Sequence, residues 1–262
     1  MSKHVVTDFW AGLSRSTPAR IALGRAGSGL PTQQVLDFSM AHAQARDAVH
    51  TPFDGDGVEA AIRDLGFTTF RVASAAPDRS TYLRRPDYGR RLSDSSRVAL
   101  EVAAHGPVDL ALVVADGLSS TAIHTQAPLF LAALKPWIVE AGWSTGPVVI
   151  AEQARVALGD EVGEVMKARA VLLLVGERPG LSSPDSLGLY LTHTPRVGRN
   201  DGERNCISNV RAEGLAHHLA AFKLVWLLRE ALTRGLTGVQ LKDESDMLLV
   251  DGMPPVPRLA GA

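Results

Sequence analysis

Three short aliphatic runs in this 262-residue chain each end on residues that can do chemistry. "VVADGLSS" delivers Asp116, Gly117 and Ser119, "VIAEQARVALGDE" delivers Glu152 to Val156, and "LLVGERPGLSS" delivers Glu177 to Ser182. In an open parallel sheet, ligands sit beyond the carboxyl ends of the strands, so an acid such as Glu177 is positioned either to move a proton or to accept a hydrogen bond from a ligand. The same residues also fit an ordinary capped strand-to-helix turn, in which Gly176 relaxes the backbone, Pro179-Gly180 bends it and Ser182 or Ser183 caps the next helix. On residue types alone both readings stand.

Familiar catalytic patterns are missing. "GRAGSGL" at 24–30 follows no strand, has the wrong spacing for a dinucleotide fingerprint and lacks the P-loop Lys-Ser/Thr pair. No G-x-S-x-G elbow surrounds Ser119, Ser182 or Ser183, which leaves them as caps. The histidines are scattered: His217 and His218 are adjacent on a helix and point apart, and His42 and His50 lie two turns apart with no ligand cluster nearby, so no metal site is expected. Arg204 is close enough in sequence to lower the pKa of Cys206, yet no base accompanies it, and an inert half-buried thiol is the better reading. Glu152, Asp160, Glu161 and Glu164 read as a solvated helix start that favours the dipole.

The elements that must position these residues change character near residue 106. Before it, residues 31–50 carry Val35, Phe38, Ala41, Ala45 and Val49 at three- and four-residue spacing, the pattern of an amphipathic helix. Residues 67–72 alternate like an edge strand, and Ser93 caps a helix that Gly106-Pro107 ends. After it, the runs 108–115, 148–151 and 170–175 alternate with helical stretches, as in a parallel sheet covered on both faces. A last helix spans 213–234, with Gly235 as its stop and a mobile tail beyond. The expected fold is therefore α/β, a Rossmann-like doubly wound parallel sheet over 106–262, preceded by a mainly helical region over 1–105.

Composition narrows the function classes. With 27 basic and 28 acidic side chains, the chain has no whole-molecule electrostatic footprint for nucleic acid or anionic lipid. One cysteine excludes an internal disulfide and fits a reducing compartment. The apolar runs are too short to span a membrane, and residues 1–10 lack a signal-peptide pattern, so a cytoplasmic protein is expected.

Several long stretches occur in one order: "ARIALGRAGSGLPTQQVLDFSMAHAQARDAVH", "YLRRPDYGRRL", "VVADGLSS", "EQARVALGDEVGE", "LLVGERPGLSSPDSLGLYLTHTPRVG" and "ERNCISNV". Together they resemble the light (small) subunit family of ethanolamine ammonia-lyase, from about Thr17 to Asn209 and more loosely through the last helix. The resemblance implies a lyase that converts ethanolamine to acetaldehyde and ammonia with adenosylcobalamin as radical source. It implies a large-subunit partner that carries the substrate site, while this chain forms the other wall of the cofactor site with a cobalamin-binding type of domain.

Carried over by motif, the cobalamin contacts fall on Val156, Glu177 and Cys206, with no catalytic residue and no cobalt ligand in this chain. A corrin is an apolar plate fringed with amides, so Val156 and Cys206 suit its face and Glu177 its rim. Arg155, Arg178, Asn205 and Ser208 are neighbours for cofactor or partner. The Asp-x-His-x-x-Gly motif of base-off cobalamin domains is absent, so the resemblance implies base-on binding. Some family members carry a longer polar N-terminal extension associated with bacterial microcompartments, and only about sixteen residues precede Thr17 here, which leaves that location open beside the cytoplasm. Phe9, Trp10 and Leu13 fit docking on the large subunit or packing on their own domain equally. A non-catalytic assembly subunit and a stand-alone α/β enzyme are the competing classes.

Overall fold

The computed structural model describes residues 5–6, 8–17, 19–104 and 106–249. The Phe9 side chain, the junction at residue 105 and the tail beyond residue 249 lie outside that description. Two short strands, β1 (Val5–Val6) and β2 (Arg25–Ala26), pair antiparallel at the start. Helix α1 (Thr32–His50) follows as expected, but it buries only the small residues Ala41 and Ala48; Val35 and Phe38, on its expected apolar face, are each 46% exposed. Helix α2 (Gly55–Asp64) starts where the Asp54 side chain accepts the Gly57 N–H. Next come the edge strand β3 (Thr69–Ala73), the short helix α3 (Arg79–Arg84) and helix α4 (Asp94–Ala103), which Ser93 caps as the sequence suggests.

The centre is built from β4 (Leu110–Ala115), α5 (Ser120–Ala141), β5 (Val148–Glu152), α6 (Leu158–Val165) and β6 (Ala170–Gly176). Strand β4 is buried on both faces. Leu110, Leu112 and Val114 join the core beneath α2, α5 and the last helix α7 (His217–Arg234), while Ala111, Val113 and Ala115 join the core beneath α4 and α6. Burial of a large aliphatic side chain is worth about 1.5–3 kcal/mol, so this two-sided filling makes β4 a central strand of the core. Helix α7 begins four residues later than expected and ends, as expected, at Gly235, whose φ of 72° suits glycine.

The six-stranded sheet has the order β3-β5-β4-β6-β7-β8, and it takes its edge strand β3 from the N-terminal half. Strands β3, β5, β4 and β6 are parallel, as expected for an α/β fold. The next two strands, β7 (Leu187–His193) and β8 (Asn205–Val210), run antiparallel, which corrects the fully parallel, doubly wound expectation. The physical reason lies in the 177–186 connection. It contains no helix, and a connection of that kind can return the chain only beside its own strand, because a parallel neighbour needs a longer crossover. "LLVGERPGLSSPDS" is thus a strand-to-strand return, closed by the Glu177 N–H donating to the Ser186 carbonyl at 3.0 Å, and Ser182 and Ser183 cap no helix. Among the described residues no helix is long and apolar enough to cross a membrane.

Candidate functional site

Strands β4 and β6 are neighbours whose following connections leave in opposite directions, β4 toward β5 and β6 toward β7, and a crevice opens between such strands. A cleft of about 380 Å³ lies there, lined by Tyr82, Leu118, Arg155, Val156, Glu177 and Tyr190, among others. Its floor needs two glycines. Gly117 has a φ of 59°, and a Cβ on it would sit 2.3 Å from the Gly176 carbonyl oxygen, so the β4–α5 turn and the end of β6 touch backbone to backbone. Ser119 caps α5 by accepting the Ala122 N–H, and its hydroxyl donates to the Pro184 carbonyl at 2.7 Å, which anchors the return connection on the same floor.

Beneath the floor Asp116 is 1% exposed. Its Oδ1 accepts the N–H groups of Gly117 (2.9 Å) and Ala154 (3.0 Å), joining the first two loops, and Arg79 Nη1 approaches Oδ2 at 3.4 Å. Burial outweighs these partners and pushes the carboxyl up to about 6. Arg79 also donates to the carbonyls of Gly117 and Val49, tying the end of α1 to the cleft. The buried Tyr82 ring lies between two guanidinium groups, Arg79 at 4.8 Å and Arg155 at 4.6 Å. Arg155 Nη2 donates to the Tyr82 carbonyl at 3.0 Å, and its Nε is buried without a hydrogen-bond partner.

Val156 and Glu177 meet in this cleft, and Arg178 is exposed at its edge. Glu177 Oε2 accepts from the Ser186 hydroxyl and from the Asn209 N–H at 3.2 Å. Cys206 does not line the cleft itself. It pairs across the sheet with Tyr190, which does. Partial burial and the nearby Glu177 push the Cys206 thiol up, although the residue as a whole reaches solvent.

The sequence reading of several charges needs correction. Arg204 does not lower the Cys206 pKa; its side chain is 1% exposed and turns into a buried ion pair with Asp160, with Asp201 as a second partner. Asp160 and Glu161 are buried, not solvated, because the helix they begin packs its first turn inward. Glu161 accepts from the Leu92 N–H at 2.7 Å and pairs with Arg97 at 3.0 Å. Asn205 spends its amide on the backbone of Gly238 and Leu241, away from the cleft. Among the described residues no group of three or more His, Cys, Asp or Glu could hold a metal ion. Sequence reasoning missed Tyr82, Arg79 and Tyr190: the first two stand far from the strand ends they serve, and Tyr190 lies on a strand that was not anticipated.

A family profile described as ethanolamine ammonia-lyase light chain matches residues 7–242. An ethanolamine ammonia-lyase small subunit from Xanthomonas campestris pv. campestris is 56% identical over 246 residues, covering 93% of this chain and 90% of that protein. One from Pseudomonas fluorescens (strain Pf-5) is 55% identical over 256 residues, covering 96% and 93%. One from Pseudomonas aeruginosa is 53% identical over 249 residues, covering 94% and 91%. Identity at this level over nearly the whole length of both partners means that this chain belongs to the ethanolamine ammonia-lyase light-chain family.

Proposed function

We propose that this chain is the light subunit of an adenosylcobalamin-dependent ethanolamine ammonia-lyase, active with a large subunit, in which ethanolamine yields acetaldehyde and ammonia. The observation that carries the reading is convergence: Val156 and Glu177, from two separate strand ends, share one cleft, and Cys206 is one side-chain pair away through Tyr190.

The residues present fit a corrin rim. Oε2 of Glu177 takes both donors from the described residues, so Oε1 has its lone pairs for an incoming amide N–H, a charge-assisted bond worth about 1.5–3 kcal/mol when desolvated. Val156 offers methyl surface on the facing wall, and Arg155 and Arg178 add donors for amide carbonyls. A cleft of 380 Å³ is at the small end of drug-sized sites and takes only an edge of a plate as large as a corrin. The remaining surface would then lie against the partner, which is why this chain is read as one wall of a cobalamin-binding site, with the cofactor base-on. When bound, adenosylcobalamin supplies the radical that starts the reaction; the residues of this chain orient the cofactor and keep water from its edge. Exposed apolar side chains, among them Leu13, Val35, Leu36, Phe38 and Met40, offer surface for the large subunit. The expected location is the cytoplasm or a bacterial microcompartment within it.

The test is ammonia release with this chain, the large subunit and adenosylcobalamin, each omitted in turn. Activity is expected only from the full set, and activity from this chain alone would support a stand-alone enzyme instead. Glu177→Ala is expected to weaken cobalamin binding about tenfold in an intact complex. Unchanged affinity would leave an assembly role.

A further inference from the structure

Between Leu187 and Leu189 the register of β7 against β8 slips: Leu187 faces Val210 and Leu189 faces Ile207. Gly188 on one strand is therefore opposed by two residues, Ser208 and Asn209, on the other. This is a β-bulge, a feature that re-aims groups beside functional sites. Asn209 takes a φ of 58°, in the left-handed region that only glycine and, at some cost, asparagine or aspartate adopt readily.

Such a conformation persists where its surroundings over-determine it. Here the Asn209 carbonyl accepts the Leu215 N–H at 2.8 Å, and its side-chain Oδ1 accepts Arg211 Nε at 2.9 Å. Gly214 approaches so closely that a Cβ on it would lie 2.3 Å from the Asn209 carbonyl oxygen. Within the bulge the Asn209 N–H donates to Glu177 Oε2 at 3.2 Å. On the opposite strand, a Cβ on Gly188 would meet both Cγ and Oε1 of Glu177 at 3.0 Å, so the missing side chain is the space in which the carboxylate sits.

We infer that the bulge at Ser208–Asn209 and the notch at Gly188 form a seat for Glu177, with Asn209 a positioning residue that acts through its main-chain N–H. The inference rests on the reading of the cleft as a corrin-rim site. Ser186, at the end of the 177–186 connection, supplies the second donor, so Oε2 of Glu177 is held from that connection and from β8, and Oε1 is left for the ligand. A bulge that only ended the pairing of β8 would need neither a glycine opposite the carboxylate nor an N–H pointed at it.

The seat is tested by titrating the assembled two-subunit complex with adenosylcobalamin and following the absorption spectrum. Gly188→Ala and Asn209→Val are expected to weaken binding about tenfold, while Asn209→Gly, which keeps both the N–H and the left-handed backbone, stays within about twofold of wild type. In a Glu177→Ala background Gly188→Ala should cost nothing further, since a positioning residue has no effect once its target is gone. Wild-type affinity in both Gly188→Ala and Asn209→Val would overturn the inference, and so would an equal loss in the Glu177→Ala background, the mark of a merely structural role. Should Asn209→Val fail to assemble, Gly188→Ala, which leaves the bulge backbone untouched, decides alone. Wild-type affinity in Glu177→Ala itself would instead overturn the corrin-rim reading and the seat with it.

Discussion

Gly176 lies directly under the carbonyl of Ser119: a Cβ on Gly176 would be 2.0 Å from that oxygen, and the Gly176 carbonyl in turn accepts the Leu118 N–H at 2.9 Å. The contact joins the end of β6 to the start of α5 backbone to backbone and leaves no flexible side chain that could yield.

Gly176→Ala is therefore expected to act as overpacking and to cost about 1–3 kcal/mol. The urea midpoint of unfolding should fall with little change in slope. An unchanged midpoint would mean that the turn and strand separate freely.

Asp116 sets a pH dependence opposite to that of most carboxylates. Its native pKa stands at about 6 against an ordinary 3.8, so the folded chain holds a proton that the unfolded chain has released. Its contribution to stability is thus lost as pH rises from about 4 to about 6, and the cost of the buried charge, about 3 kcal/mol, is fully present above that window. Asp116→Asn keeps an oxygen for the Gly117 and Ala154 N–H groups and removes the charge. The difference in unfolding free energy between wild type and variant should then change across this window and be flat above it. A difference that does not vary with pH would rule out a raised Asp116.

Arg204 and Asp160 are buried at 1% and 2% exposure, and burial holds the Asp160 carboxyl above its usual range even with the guanidinium beside it. Arg204→Met leaves that acid without its partner and should cost about 3–5 kcal/mol, a fall in Tm on the order of 10 °C. Adding Asp160→Asn removes the stranded charge and should recover part of the loss. Thermal unfolding of the two single variants and the double variant checks this; a double variant at the sum of the singles would show that the charges do not interact.

The parallel half of the sheet was legible because its strands are short aliphatic runs between helices with recognisable caps, such as Ser93 and Ser119. The antiparallel half was not. "LGLYLTH" carries a glycine at 188 that reads as a strand breaker until Glu177 is seen beside it, and a Pro/Gly/Ser connection gives no sign of whether a helix or a returning strand follows. Val156 and Glu177 could be positioned because each lies within four residues of the end of a legible strand. The company of Cys206 could not be, since it depends on the pairing of β7 with β8. Arg204 misled for the same reason: nearness in sequence says nothing about direction, and its side chain turns under α6 to Asp160.

Cys206 is the single cysteine of the chain, so thiol labelling reports on one site. Its residue is exposed to reagent, but burial of the thiol and the neighbouring Glu177 raise its pKa, which leaves little thiolate at neutral pH. Alkylation by iodoacetamide should therefore be slower than for a free thiol at pH 7 and rise about tenfold per pH unit until well above pH 9. Glu177→Gln removes the nearby charge and should speed the reaction at a fixed pH. If the cofactor covers this face as proposed, adenosylcobalamin should protect Cys206 in the assembled complex. Labelling at the free-thiol rate at pH 7 would contradict the raised pKa, and equal labelling with and without adenosylcobalamin would take Cys206 out of the cofactor site while leaving Val156 and Glu177 in it.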